Sequence, residues 1–190
     1  MRAARSTGSS STEDGSAIFL LTGPSAAGKS TVGRQLAERF RRGVFLEGDV
    51  FRRSIVTGRH EMTPNASPAA LAQLSLRYRL AAAAAETYFE EGFTVVLEDV
   101  VAGQLLSEYV ELVRSRPLHV VVLVPSVKAI ATREAARDAD GYTRFSVEEL
   151  YRSFVEETPR IGLWVDSSGQ TPEQTVQEIL SRSDHALMPA

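Results

Sequence analysis

Apolar residues fall along this chain in short continuous runs, separated by longer stretches of helical period. The runs are AIFLLT (17–22), VFLEG (44–48), FTVVLEDV (93–100), LHVVVLVP (118–125) and IGLWVD (161–166). Unbroken rather than alternating apolar character is what a strand buried on both faces of a parallel sheet requires. Between the first two runs, Val32, Leu36 and Phe40 share one face of a helix predicted from about Lys29 to Arg41. A short helix is expected from Asp49 to Thr57, then a loop around Pro64 and Pro68, then a long Ala-rich helix from about Pro68 to Glu91. Near the end, Thr171 and Pro172 read as the N-cap and first turn of another helix. Strands alternating with helices in this way predict an α/β, three-layer domain around a mostly parallel five-stranded sheet.

The first 15 residues, MRAARSTGSSSTEDG, are small and polar without periodicity, and are expected to form a disordered tail. The domain is expected over 16–183, with residues 184–190 as a C-terminal tail. At 190 residues the length suits one unit with a single sizeable core. Arg2 and Arg5 precede an apolar run, 17–21, that is shorter than the core of a signal peptide. No stretch has the roughly 18 uninterrupted apolar residues of a membrane span. The absence of Cys removes disulfides, thiol nucleophiles and Cys-ligated metals, and makes a reducing cytoplasm the expected compartment. A formal charge of -3 counts against a polyanion binder, so nucleic acid and membrane are not expected partners. The pattern reveals no oligomeric interface.

The strongest chemical signal is Gly23-Pro24-Ser25-Ala26-Ala27-Gly28-Lys29-Ser30-Thr31, a full match to G-x-x-x-x-G-K-[ST]. It follows the first predicted strand and opens the first predicted helix, where main-chain N–H groups and the helix dipole favour a polyphosphate. Lys29 places an ammonium near the outer phosphates, and the Ser30 hydroxyl is a ligand for Mg²⁺. The expected architecture is therefore a P-loop NTPase fold that binds a nucleotide polyphosphate, with Ser30 as a Mg²⁺ ligand. A guanine-reading Asn-Lys-x-Asp is missing, since Asn65 is the only Asn and Ala66 follows it. The length leaves little room for the sensor segments of motor ATPases, and a small kinase remains.

Reacting groups are sought at the carboxyl edge of the sheet, where open α/β sheets bind ligands. Asp49, after the second strand, is the candidate base for an acceptor hydroxyl; N-capping of the next helix is its alternative role. Arg52 and Arg53 are candidate acceptor-binding residues, against the alternative of a solvated helix face. The third strand ends in Glu98-Asp99; alternation sends the two side chains to opposite faces, so one of them reaches the metal, and Asp99 is the expected metal or acceptor contact, with a turn or cap acid as its alternative role. Arg133 and Arg137, four apart on a helix, with Arg144 beyond, suggest a mobile helical lid that brings guanidinium groups to the transferring phosphoryl. Exposed pairing with Glu134 or Asp138 is the bland alternative. The loop 166–171 is a candidate neighbour of adenine, while His60, His119 and His185 receive no role.

Taken together, GPSAAGKST, LEGDVFRR, VVLEDVV, TREAAR and WVDSSGQTPEQTVQEIL resemble the small P-loop kinases, and most closely the chloramphenicol phosphotransferase-like group, from about Ser16 to Leu180. The resemblance implies transfer of the γ-phosphoryl of ATP to a small-molecule hydroxyl, with Mg²⁺, Asp49 as base and Arg133 and Arg137 as lid arginines. LEGD also looks like the start of the adenylylsulfate-kinase pattern, but the Phe-Ile-Ser-Pro segment has no counterpart. A shikimate kinase would show Asp-x-Asp and Gly-Gly-Gly, where this chain has Glu47-Gly48-Asp49 and Val100-Val101-Ala102-Gly103. The segment from Phe51 to Tyr78, with Arg59, His60, Glu61, Met62 and Arg77, is expected to line the acceptor pocket, for which an antibiotic, a nucleoside or a polar metabolite all fit. Two alternatives stand beside this reading: a regulator that hydrolyses ATP slowly, and a toxin-type kinase acting on nucleotide sugars.

Overall fold

The computed structural model describes residues 15–135 and 147–189. The expected tail up to residue 14, and the part of the expected lid that carries Arg137 and Arg144, lie outside the described residues. Five strands form one sheet: β1 (Ile18–Thr22), β2 (Gly43–Glu47), β3 (Thr94–Glu98), β4 (Leu118–Leu123) and β5 (Leu163–Val165). Their order is β2-β3-β1-β4-β5, and all four pairings are parallel. The unbroken apolar runs sit where both faces are covered. Every residue of β1 is buried, whereas β2, at an edge, is mostly half-exposed.

Two helical layers cover the sheet. On one face, α1 (Lys29–Ala37), α7 (Pro172–Ser181) and α8 (Ser183–Ala186) enclose Phe19, Leu21, Val96, Val121 and Leu123. On the other, α3 (Pro68–Glu90) and α4 (Leu105–Leu112) enclose Ile18, Leu20, Val95, Leu97, Val120 and Val122. Alternation along each central strand thus feeds two separate cores. The remaining elements are α2 (Asp49–Arg53), α5 (Val127–Ala135), α6 (Val147–Arg152) and a π-helical turn (Ser153–Glu157) that buries Phe154.

Boundaries follow from local chemistry. Ser67 caps α3 by accepting the Ala70 N–H (3.2 Å), with Pro68 in the first turn. Thr171 caps α7, and the Gln174 side chain returns the bond to the Thr171 N–H (2.8 Å), which completes a capping box. Helix α1 stops at Ala37, short of the expected Arg41, because the Arg39 and Phe40 N–H groups bond three residues back and tighten the chain toward β2. Helix α2 ends at Arg53 rather than Thr57, where the Ser54 hydroxyl donates to the Val50 carbonyl (2.8 Å). Residues 184–189, read above as a tail, lie against the sheet, the Met188 N–H donating to the Leu118 carbonyl (2.8 Å). Among the described residues no helix is long and apolar enough to cross a membrane.

Candidate functional site

The loop between β1 and α1 curls as its glycines and lysine predict. Gly28 stands at the start of α1 with φ 96°, a left-handed conformation that costs Gly little. Ala26 also takes a positive φ of 56°, at a cost of roughly 1–2 kcal/mol for a residue with a Cβ. Among the described residues no side chain caps α1, and the N–H groups of its first turn suit an anion. Lys29, only 6% exposed, donates to the Pro24 carbonyl (3.0 Å) and lies 3.7 Å from Glu98. The Ser30 hydroxyl donates to Glu98 Oε2 (3.0 Å).

That last contact corrects the expectation for the third strand. Glu98, not Asp99, stands beside Ser30. Val96 and Glu98 share the β3 face on which α1 packs, while Val95, Leu97 and Asp99 point to the α3–α4 face. Asp99 is 1% exposed and occupied: Arg77 Nη2 donates to its Oδ1, Arg77 Nε to its Oδ2 (3.1 Å), and the Val100 N–H to its Oδ1 (2.7 Å).

Asp49 opens α2 immediately after Gly48, whose N–H donates to the Glu98 carbonyl (2.8 Å). Its carboxylate is surrounded by guanidinium groups. Arg52 Nε and Nη2 donate to Oδ1 (2.7 Å) and Oδ2 (3.0 Å), Arg77 Nη1 donates to Oδ1 (3.1 Å), and Arg53 Nε lies 3.7 Å from Oδ2. Burial alone would push this carboxyl up, but the Arg52 hydrogen bond and the charges of Arg77, Arg52 and Arg53 outweigh it. Asp49 is held below the ordinary carboxylate range. Arg52 also donates through Nη1 to both oxygens of Glu61 (2.9 Å each), and Arg53 reaches Glu47 (3.4 Å). The candidate acceptor-binding arginines therefore gather around the candidate base.

Arg133 stands elsewhere, at the wall of a cleft of about 270 Å³ between the P-loop and the β5–α7 loop. Its Nη1 donates to the Ala27 carbonyl (3.0 Å) and its Nη2 to the Ser167 carbonyl (2.7 Å). Ala26, Gly28, Thr31, Gln170 and Thr175 are among the other lining residues. The Gln170 side chain is committed to Glu178 (2.6 Å) and Thr175 (2.9 Å), whereas the Ser167 hydroxyl is buried without a hydrogen-bond partner among the described residues. The loop 166–171 thus borders a cleft that opens beside the P-loop, the place sequence reasoning gave to adenine.

Two contributors had not been given these places from sequence: Glu98 had no role, and Arg77 was expected only as part of the acceptor-pocket lining. Glu98 was passed over because the face that α1 covers is not visible in a single strand. Arg77 did leave a signal. It occupies the buried stripe of α3 with Ala70, Tyr78, Ala81 and Ala85, where a charged residue requires a buried partner.

The sheet order and the loop define an α/β protein of the P-loop NTPase fold. Residues 18–151 match the AAA_33 family model, described as an AAA domain, and the chain belongs to that family. Similar solved structures include a sugar kinase from Janibacter sp. HTCC2649, 17% identical with a TM-score of 0.63, covering 90% of this chain and 96% of that one. The Deinococcus radiodurans tunicamycin resistance protein is 17% identical with a TM-score of 0.62, over 92% of this chain and 99% of its own. An APS kinase of Mycobacterium tuberculosis, solved with AMPPNP and APS, is 18% identical with a TM-score of 0.60, over 90% and 98%. At these identities the likeness shows a shared fold. Curated protein sequences contain no match to this chain.

Proposed function

We propose that the protein is a kinase that transfers the γ-phosphoryl group of ATP to a hydroxyl of a small molecule, in the manner of the chloramphenicol phosphotransferase-like enzymes. One observation carries this reading. The Gly48–Glu98 backbone bond places Asp49 one residue from a direct link to Glu98, whose carboxylate meets the Ser30 hydroxyl of the phosphate loop. A phosphate cradle and a candidate base thereby share one strand edge. The sugar-kinase and tunicamycin-resistance neighbours support a small-molecule acceptor.

The residues fit Mg²⁺ and a nucleotide. Ser30 and Glu98 offer hard oxygen donors 3.0 Å apart, and Mg²⁺ characteristically takes one or two protein oxygens together with substrate phosphates. The uncapped first turn of α1 and Lys29 would hold the triphosphate, and the cleft under Arg133 would hold the nucleoside. When bound, Mg²⁺ and ATP supply the phosphoryl group, a leaving ADP and neutralisation of the developing charge. Asp49 orients the acceptor hydroxyl and accepts its proton; Arg52 and Arg53 bind the acceptor around it. Arg133 acts at the nucleoside and the loop rather than at the phosphoryl group, since both contacts of its guanidinium are with the cleft walls.

A coupled ADP-release screen with Mg²⁺ and ATP, run against hydroxylated antibiotics, nucleosides and sugars, tests this. The expected result is acceptor-dependent ADP release, with a new phosphate monoester visible by phosphorus NMR. ATP binding with ADP release that no acceptor accelerates would overturn the kinase reading in favour of a slow ATP-hydrolysing regulator.

A further inference from the structure

Three arginines face Asp49, but they are not equivalent. Arg52 and Arg53 belong to its own helix, three and four residues on; Arg53 is exposed and Arg52 partly buried. Arg52 is shared with Glu61 and Arg53 with Glu47, so each has a second carboxylate to turn to. Arg77 comes from α3, is 5% exposed, and cannot turn away, because two of its nitrogens are tied to the buried Asp99. Its third, Nη1, is directed at Asp49 Oδ1.

The floor beneath this chain of contacts is rigid. Asp99 is held from its other side by the Val100 N–H, and a Cβ on Gly48 would lie 2.0 Å from Asp99 Oδ2. Only Gly lets the β2 end, which carries Asp49, lie this close to the Asp99 carboxylate. The bidentate pair with Asp99 uses only Nε and Nη2, so the Nη1 of this buried guanidinium needs a further acceptor, and Asp49 Oδ1 supplies it. The third arm ties the pair to the residue read above as the base.

We propose that Arg77 is a positioning residue that anchors Asp49 by Oδ1 and so reserves Oδ2 for the acceptor proton. The inference rests on the reading of Asp49 as base. When an acceptor hydroxyl arrives, Arg52 can keep its bonds to Glu61, release Asp49 and uncover Oδ2, while Arg77 continues to hold Oδ1. The carboxylate keeps one orientation through the exchange of partners. The transferred proton passes from the hydroxyl to Oδ2 and then to solvent, and Arg77 gives up none of its own.

The test compares the wild-type protein with Arg77→Gln/Asp99→Asn and with Arg77→Lys. The double variant removes both buried charges together, so neither is left unpaired, and it keeps an acceptor for the Val100 N–H. Arg77→Lys retains the charge but not the three-armed grip, and serves as the second variant should the double one fail to fold. Each is crystallised with Mg²⁺ and AMPPNP, and ADP release is followed with water as acceptor and with any acceptor the screen supplies. The Asp49 carboxylate is expected to rotate from its wild-type position in the double variant, with ATP affinity retained. Turnover is expected to fall on the order of 100-fold, the usual result of a misplaced reacting group, and Arg77→Lys should recover part of it. An Asp49 carboxylate unmoved in the variants overturns the proposal whatever the rate. A displaced carboxylate with undiminished turnover overturns instead the reading of Asp49 as base.

Discussion

The phosphate loop and the surroundings of Asp49 lie at the same edge of the sheet, yet they are held by different kinds of bond. The loop is nine consecutive residues, Gly23 to Thr31, and its shape comes from main-chain conformation at Gly28 and Ala26 and from a lysine that bonds a carbonyl five residues back. Asp49 is held by side chains, from a helix neighbour three residues on and from Arg77, 28 residues away. A main-chain cradle reads phosphate, which nucleotide-binding proteins share. A side-chain cage is where one member of such a family departs from another, because each ion pair can be replaced without disturbing the cradle.

Substitutions on the two sides should separate cleanly. The largest effect is expected from Asp49→Asn, which should reduce acceptor-dependent ADP release by roughly 10²–10⁴-fold, the usual contribution of a positioned base. Calorimetry on the same variant should show ATP binding at wild-type affinity. Full activity in a folded Asp49→Asn protein would erase the contrast, leaving only the cradle functional.

Lys29→Met attacks the other side. Loss of charge-assisted bonds to phosphate should weaken ATP binding by about 10–100-fold, corresponding to roughly 1.5–3 kcal/mol, as measured by titration calorimetry. An unchanged affinity would show that the main chain alone grips the triphosphate.

Gly48→Ala sharpens the comparison at the point where the two sides meet. The added Cβ, 2.0 Å from Asp99 Oδ2, must push apart the β2 end and the buried Arg77–Asp99 pair. A loss of about 1–3 kcal/mol, seen as a lower midpoint in thermal or urea unfolding, is expected from overpacking of this kind. A wild-type midpoint would mean that the strand ends are more compliant than the contact implies.

The mildest effect concerns pH. Asp49 titrates below the ordinary carboxylate range, with Arg52 prominent among the groups that lower it. Its contribution to stability is present above the unfolded-state value and is lost as pH falls through the lowered folded value. The acid limb of kcat/KM should likewise lie below the normal carboxylate range in the wild-type protein. Removing the Arg52 cation, as in Arg52→Ala, should move that limb upward; a limb that stays in place, or moves down, would show that Arg52 does not set the charge state of Asp49.

Much of the architecture was legible because it depends on short-range pattern. Unbroken apolar runs located all five strands, and Ser67-Pro68 and Thr171-Pro172 marked two helix starts where the structure has them. The edge strands were less distinct, as β5 is three residues long within a longer apolar run. At the site, the loop, Lys29, Ser30 and Asp49 could be named in advance because each follows from a contiguous motif or a strand end. Arg133 was expected in a lid at the phosphoryl group, and its place at the wall of the cleft beside the P-loop followed only from its contacts with two loops.

By itself the amino-acid sequence determined a parallel α/β sheet and a main-chain phosphate cradle, since both arise from neighbours in the chain obeying local steric and periodic rules. Only the tertiary structure decided which of two adjacent acids faces that cradle. The choice turns on which side of β3 receives α1, and strand alternation then sends Glu98 to Ser30 and Asp99 to Arg77. The same holds for the cage around Asp49, whose buried member comes from a distant helix and finds its partner only when α3 packs on the sheet.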